Sequence, residues 1–76
     1  MAIGIYVEAV RDKGCIFHYK RFTAGQKVRA CLHARAFQKK HPEANSVRVQ
    51  WEDGHPIFWP EVVDKHENPE KYMYAS

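Results

Sequence analysis

The sequence lacks long apolar segments and has few cysteines. No hydrophobic run approaches the roughly 20 residues that a membrane-spanning helix needs, which excludes such a helix from this sequence. The first ten residues show neither the basic start nor the long apolar stretch of a secretory signal. Cys15 and Cys31 are the two cysteines, and thiols without a secretory signal are typical of a reducing compartment. We therefore expect a cytoplasmic protein with no membrane partner.

Motifs that carry chemistry are also missing. The five histidines and two cysteines form no CxxC pair, no HxxxH pair and no other zinc-ligand spacing. No phosphate-binding loop, dinucleotide fingerprint or nucleophile elbow occurs, and the four glycines are isolated. Both cysteines fall on predicted core faces, which disfavours a thiol nucleophile. We therefore expect no enzyme activity, no metal and no cofactor.

Acidic residues are absent from the middle of the chain. Residues 23–41 hold five bases and no acid, whereas residues 42–76 hold seven acids and three bases and residues 1–22 two acids and four bases. The three segments carry +5, −4 and +2, which add up to the net charge of +3. Segregated charge of this kind predicts an electrostatic binding face. The alternative is that the acidic end folds back and neutralises the basic segment.

What the chain does contain is the composition of one small globular domain. Its 76 residues are 45% hydrophobic and 28% charged, which is too apolar for a disordered chain and too short for two domains. Alternating apolar residues predict strands over 3–10, 15–22, 47–52 and 55–59, with turns at Gly14 and at Asp53-Gly54. Thr23 and Gln26 form a capping box for a helix over about 24–40, which ends before Pro42.

This order, β-β-α-β-β, predicts an α+β two-layer sandwich. One helix, residues 24–40, covers one face of a mostly antiparallel sheet. We expect residues 1–63 to form the domain and residues 64–76 a polar, loosely held tail, with Pro60 ending the last strand. The predicted core stripe of the helix contains Ala24, Val28, Cys31 and Ala34, with Phe37 toward its polar side.

Two surfaces are candidates for binding. The first is the basic helix face, formed by Arg29, His33, Lys39 and Lys40 and extended by Lys20 or Arg21. The second is the sheet side away from the helix. If Phe17 and Trp51 pack under the helix, the exposed side shows Tyr6, Ile16, His18, Lys20 and Arg48. Such a mixed face suits protein contact, and Tyr6, Tyr19 or Trp59 could stack on bases if the face is uncovered.

Gly4-Ile5-Tyr6 resembles the first half of the signature of the GIY-YIG nucleases. That family also begins with a hairpin followed by a helix that carries an arginine, a position that Arg29 or Arg35 would fill. The resemblance implies a metal-dependent nuclease. The second strand of the hairpin, however, reads Ile16-Phe17-His18-Tyr19-Lys20 and has no glycine where the family has YIG.

The size, charge segregation and ββαβ order over residues 3–59 also resemble small phage- or mobile-element-encoded inhibitors, such as RNA-polymerase inhibitors and anti-CRISPR proteins. We expect a non-enzymatic binding protein that occupies a charged surface of a host machine, either a protein or a protein–nucleic-acid complex. The alternative is direct binding of DNA or RNA by the basic helix. A nuclease of the GIY-YIG type is a remote alternative. The chain would act as a monomer or a homodimer.

Overall fold

The chain forms a small α+β domain with a four-stranded antiparallel sheet. The computed structural model describes residues 3–11 and 14–73. The strands are β1 (Ile5–Arg11), β2 (Cys15–Phe22), β3 (Ser46–Trp51) and β4 (Pro56–Ile57), and they lie side by side in the order β2-β1-β3-β4. The predicted α+β class and antiparallel sheet are confirmed. Part of the first hairpin turn, Asp12-Lys13, lies outside the described residues.

Three helices complete the described chain. They are α1 (Lys27–Lys40), α2 (Trp59–Glu67) and α3 (Glu70–Met73). A single 3-10 turn, Ala24–Gln26, leads into α1, where the Gln26 side chain accepts a hydrogen bond from the Thr23 backbone N–H at 3.1 Å. This contact is one half of the predicted capping box, and it sets the start of the helix close to the predicted position.

The core lies between the sheet and the helices. Ile5, Val7 and Ala9 of β1 are fully buried and alternate with half-buried residues, as expected for a strand with one covered face. β3 adds Val47 and Val49, and β2, β4 and α2 each add one buried residue, namely Phe22, Ile57 and Val63. α1 contributes only small side chains, Ala30, Cys31 and Ala34. One cluster of small and branched residues therefore holds sheet and helices together.

The prediction of a single helix is wrong. The expected strand over residues 55–59 is reduced to Pro56–Ile57, because Pro56 has no N–H to offer a neighbouring strand. Pro60 does not end a strand but lies in the first turn of α2, where a missing N–H costs no hydrogen bond. α2 runs through residues 64–67, which were expected to belong to a loose tail, and α3 follows. Residues 74–76 of that tail lie outside the described residues.

The predicted faces of the second strand are also wrong. The register between β1 and β2 shifts between Ala9 and Val10, so that two residues of β2 face one residue of β1. Phe17 packs on the core as predicted, but His18 and Lys20 lie on the helix side instead of the exposed side. Tyr19 takes the exposed side. A bulge reverses the alternation beyond it, and the hydrophobic pattern alone does not reveal its position.

Smaller differences concern α1 and the cysteines. Val28 is 37% exposed and Ala30 takes its place in the core, while Phe37 packs against the core beside β2. Small side chains on the buried stripe let α1 lie close to the sheet, and the ring of Phe37 fills the space next to Phe17, at 5.7 Å between centroids. Trp51 is half-buried, and Cys15, expected in the core, is exposed.

Candidate binding groove and open sheet face

The first candidate site is a groove of about 300 Å³ between β2 and α1, which we call the histidine groove. Its lining consists of His18, His33, Ala36, Phe37, Lys40 and His41. His33 and Phe37 are four residues apart on α1 and so share one side of the helix, opposite His18 on β2. The Phe37 ring stacks on the His18 ring at 4.2 Å and on the His41 ring at 4.4 Å. Phe37 thus fixes the orientation of two histidines.

The two histidines that face each other across the groove are hydrogen-bonded. The Nε2 atoms of His18 and His33 are 2.9 Å apart, so one ring donates and the other accepts. Burial lowers the pKa of both imidazoles. Neighbouring positive charge lowers the pKa further, from His41 and Lys20 for His18 and from His18 and Lys20 for His33. The pair is therefore predominantly neutral at pH 7.

Cations without ion pairs surround this groove. Lys40 lines it, Arg29 lies on the same side of α1, and the Lys20 Nζ atom is 5.6 Å from the centre of the Phe22 ring on β2. Within residues 3–11 and 14–73, none of these three cations forms a salt bridge. None of the described residues that line the groove carries a carboxylate, and Glu43 binds the Nδ1 atom of the lining residue His41. The arrangement can attract an anion, because no internal counterion competes for these charges.

Other basic residues of α1 are partly neutralised by α2. Arg35 forms an ion pair with Glu67, and the hydrogen bond from Arg35 lowers the pKa of the Glu67 carboxyl. Lys39 is exposed, and its charge adds to this lowering of the pKa of Glu67. The acidic end of the chain therefore covers the Arg35 side of the helix, and among the described residues no acid forms an ion pair with Arg29 or Lys40.

The second candidate site is the sheet face that no described helix covers, which we call the open sheet face. At its centre the rings of Tyr6 and Tyr19 stack at 5.4 Å. The Tyr6 hydroxyl donates a hydrogen bond of 2.7 Å to the Gln50 side-chain oxygen. Tyr19 is 57% exposed and Ile16 is 52% exposed, so large apolar surface reaches solvent here.

The arginines of the open sheet face are paired with acids. Arg48 lies 2.9 Å from Glu8, which is its register partner on β1, and Arg21 forms an ion pair with Glu52. These contacts balance the charge of the face. A phosphate would have to displace a carboxylate from either arginine, so this surface suits a protein better than a nucleic acid.

A third concave region lies where α1, β4 and α2 meet. This cleft has about 560 Å³ and a mixed lining that includes Trp51, Ile57, Glu61 and Lys65. Phe58, which is 70% exposed, stands at its rim. No convergent set of polar groups is found among the described lining residues, and we assign the cleft no chemistry.

The predicted site residues fall into two groups. Lys20, Arg29, His33 and Lys40 lie at the histidine groove, and Lys39 is exposed on the same helix. Tyr6, Arg21 and Arg48 lie on the open sheet face, on the far side of the sheet. The sequence prediction missed His18, Phe37 and His41 as part of the groove. The spacing of His33, Phe37 and His41 at intervals of four could have revealed one aromatic stripe along the helix.

The residues of the GIY motif are placed as parts of a strand. Ile5 is fully buried, and Tyr6 points to the open sheet face, whereas Arg29 and Arg35 belong to the helix on the other side. The fold does not bring Tyr6 together with either arginine.

Among residues 3–11 and 14–73 no group of three or more His, Cys, Asp or Glu side chains could hold a metal ion. In the same residues no helix is long and apolar enough to cross a membrane.

Comparison of the chain with protein-family models, curated proteins and solved structures found no match. Function therefore has to be argued from the geometry of the two candidate sites.

Proposed function

We propose that the chain is a non-enzymatic binding protein whose ligand is a nucleic acid and whose contact surface is the histidine groove with its basic rims. The observation that carries the proposal is that, within the described residues, Lys40 lines a groove without a carboxylate in its lining, Lys20 and Arg29 lie beside it, and none of the three forms an ion pair. Cations already paired with carboxylates gain little from a phosphate. Unpaired cations can neutralise phosphates, and this releases the cations condensed on the nucleic acid into solvent, which favours binding.

The shape of the groove supports the same ligand. Its walls combine one cation, Lys40, with the rings of Phe37 and three histidines, and nucleic-acid-binding surfaces combine basic and aromatic side chains in this way. The fold has no helix-turn-helix among the described residues, and α1 is held by its buried stripe against the sheet. We therefore propose binding to single strands or flexible ends with little sequence preference.

A reducing, cytoplasmic setting is part of the proposal and is supported by the free thiols of Cys15 and Cys31.

The test is a salt series with random single-stranded DNA and RNA. We expect log K to fall linearly with log salt, with a slope of about −0.7 for each phosphate contacted. The variant Arg29→Glu/Lys40→Glu should bind more weakly, and its slope should be smaller in magnitude by about 1.4, since two contacts are lost. The matched control Lys65→Glu/Lys71→Glu makes the same charge change on α2 and α3 and should bind as the wild type does. Equal loss in both variants would overturn the assignment to the groove.

A second candidate is a protein partner on the open sheet face, as in an inhibitor that covers a surface of a larger machine. The stacked Tyr6 and Tyr19 beside charge-balanced arginines favour it, because aromatic residues and arginine dominate the energetics of protein interfaces. The salt series separates the two. A chain that retains no nucleic acid at about 0.1 M salt leaves the protein partner as the better proposal.

A further inference from the structure

The hydrogen bond between His18 and His33 is the central polar contact of the histidine groove. With the Nε2 atoms 2.9 Å apart and the ring centroids 5.1 Å apart, the rings meet edge to edge. Such a bond needs one neutral ring as acceptor. If both rings were protonated, two N–H groups would point at each other, and the bond would be replaced by repulsion.

The described side chains that face the pair include cations and no carboxylate. From β2 the pair faces Lys20, and from α1 it faces Lys40 and, beyond the Phe37 ring, His41. Glu43 is bound to His41, with its Oε2 2.9 Å from the His41 Nδ1, and it does not line the groove. Within the described residues no carboxylate contacts His18 or His33, so the negative charge that an imidazolium of this pair requires would come from a ligand.

We propose that His18 and His33 form a phosphate site that takes up one proton as the phosphate enters. The proton comes from solvent and binds the Nε2 atom that accepts in the free protein. The N–H···N bond breaks, and both Nε2–H groups then donate to phosphate oxygens, with Lys20 and Lys40 beside them. No other bond forms or breaks. The lowered pKa of both rings agrees with a site that lacks its anion.

This inference rests on the proposed function only for the source of the phosphate. A nucleic-acid strand offers phosphodiester oxygens, and inorganic phosphate or a phosphate monoester offers the same atoms without a strand. All three are anions that form charge-assisted hydrogen bonds with imidazolium.

Nuclear magnetic resonance of the intact wild-type protein tests the site directly. Inorganic phosphate is added at pH 7 and compared with sodium chloride at equal ionic strength. Because the pair takes up one proton, the ring C–H signal of the histidine that receives it, His18 or His33, should move toward the protonated position, while the signal of His66 on α2 should stay in place. Unchanged signals of His18 and His33 in phosphate, and also with a random oligonucleotide, would overturn the proposal.

The pH dependence of binding gives a second test. Uptake of one proton makes the affinity for a random oligonucleotide rise by up to about tenfold per pH unit as the pH falls from 8 to 6. His18→Gln and His33→Gln keep a hydrogen-bonding side chain but cannot be charged, so their affinity should depend less on pH. His66→Gln should behave as the wild type does. Equal pH slopes in all four proteins would overturn the proposal and leave nucleic-acid binding intact. Phosphate-induced shifts without oligonucleotide binding would support the site and reject the proposed function.

Discussion

The thiols of Cys15 and Cys31 illustrate how far two residues of one type can differ. Cys15 lies at the start of the edge strand β2 and is exposed, whereas Cys31 is fully buried on the core stripe of α1. Burial raises the pKa of the Cys31 thiol from 9.0 to about 11, although Lys27 acts in the opposite direction. A thiol that stays protonated and inaccessible is a poor nucleophile and packs as a small hydrophobic side chain.

We predict that a thiol-modifying reagent labels one cysteine of the native protein at pH 8. Cys15 should react because it is exposed, while the higher pKa of Cys31 reduces its thiolate fraction about a hundredfold even before access is considered. Counting labels by mass spectrometry gives one in buffer and two in denaturant. Cys15→Ser should then give none in buffer, and a rapid label in that variant would place Cys31 at the surface.

Residues of the two central strands were predictable from the sequence, but the faces of β2 were not. β1 and β3 alternate without interruption, so Ile5, Val7 and Val49 fall in the core where the pattern placed them. In β2 every position from Cys15 to Phe22 carries an aromatic, a basic or an apolar residue. A bulge in such a strand changes which side chains meet the helix without changing its hydrophobic pattern. His18 meets His33 because of that bulge, so the histidine pair cannot be predicted from the hydrophobic pattern of β2.

At the scale of elements, α2 is the main addition to the predicted order. Trp59, Val62 and Val63 have helical spacing, but the strand predicted over 55–59 and its predicted end at Pro60 leave no place for a helix that begins at Trp59. In the structure the Trp59 indole N–H donates a hydrogen bond of 2.8 Å to the Val47 carbonyl, and Val63 is 4% exposed. α2 thus closes the edge of β3 that the two-residue β4 leaves uncovered, and it belongs to the core of the domain.

We predict that a chain ending after Phe58 is much less stable than one ending after Asn68. Loss of α2 removes the burial of Val63 and the hydrogen bond to Val47, a cost of roughly 2–4 kcal/mol. That is a large share of the ~5–15 kcal/mol that stabilises a typical domain. Urea unfolding followed by circular dichroism measures both chains. The chain that ends after Asn68 loses α3 but keeps Glu67 beside Arg35. Its urea unfolding midpoint should be nearly the same as that of the full chain. Equal midpoints for both truncations would show that α2 lies outside the cooperative unit.

At the scale of the whole molecule, the acidic C-terminal segment forms ion pairs within itself and also with the basic helix α1. Glu61 and Asp64 of α2 pair with Lys65 and Lys71, which are also in the C-terminal half of the chain. Glu67 reaches across to Arg35 of α1. The alternative that the acidic end folds back on the basic segment therefore holds for the Arg35 side of α1, and the groove side stays basic. The position of α2 determines which side of α1 the acidic residues cover. That helix is absent from the predicted order β-β-α-β-β, so the covered side could not be predicted from the sequence.

The oligomeric state that we expect depends on β2, the edge strand at the opposite end of the sheet from β4. β2 is eight residues long and lies at the edge, where its outer backbone groups could pair with a second copy. Lys20 and Arg21 lie within this strand, and the bulge opposite Ala9 disturbs its regular pairing. Charges and bulges of this kind prevent edge-to-edge association. We therefore predict a monomer of 8.9 kDa in sedimentation equilibrium.

Removal of the edge charges should reverse this behaviour. In the variant Lys20→Val/Arg21→Val the strand becomes a long apolar edge, and we expect dimers or larger assemblies whose fraction grows with protein concentration. The matched variant Lys39→Val/Lys40→Val removes the same charge from the exposed side of α1, away from any strand edge, and should remain monomeric. If both variants associate equally, loss of net charge rather than strand pairing is responsible. A dimeric wild-type protein would instead mean that β2 is already paired with a second copy. Lys20 and Arg21 would then lie at a subunit interface.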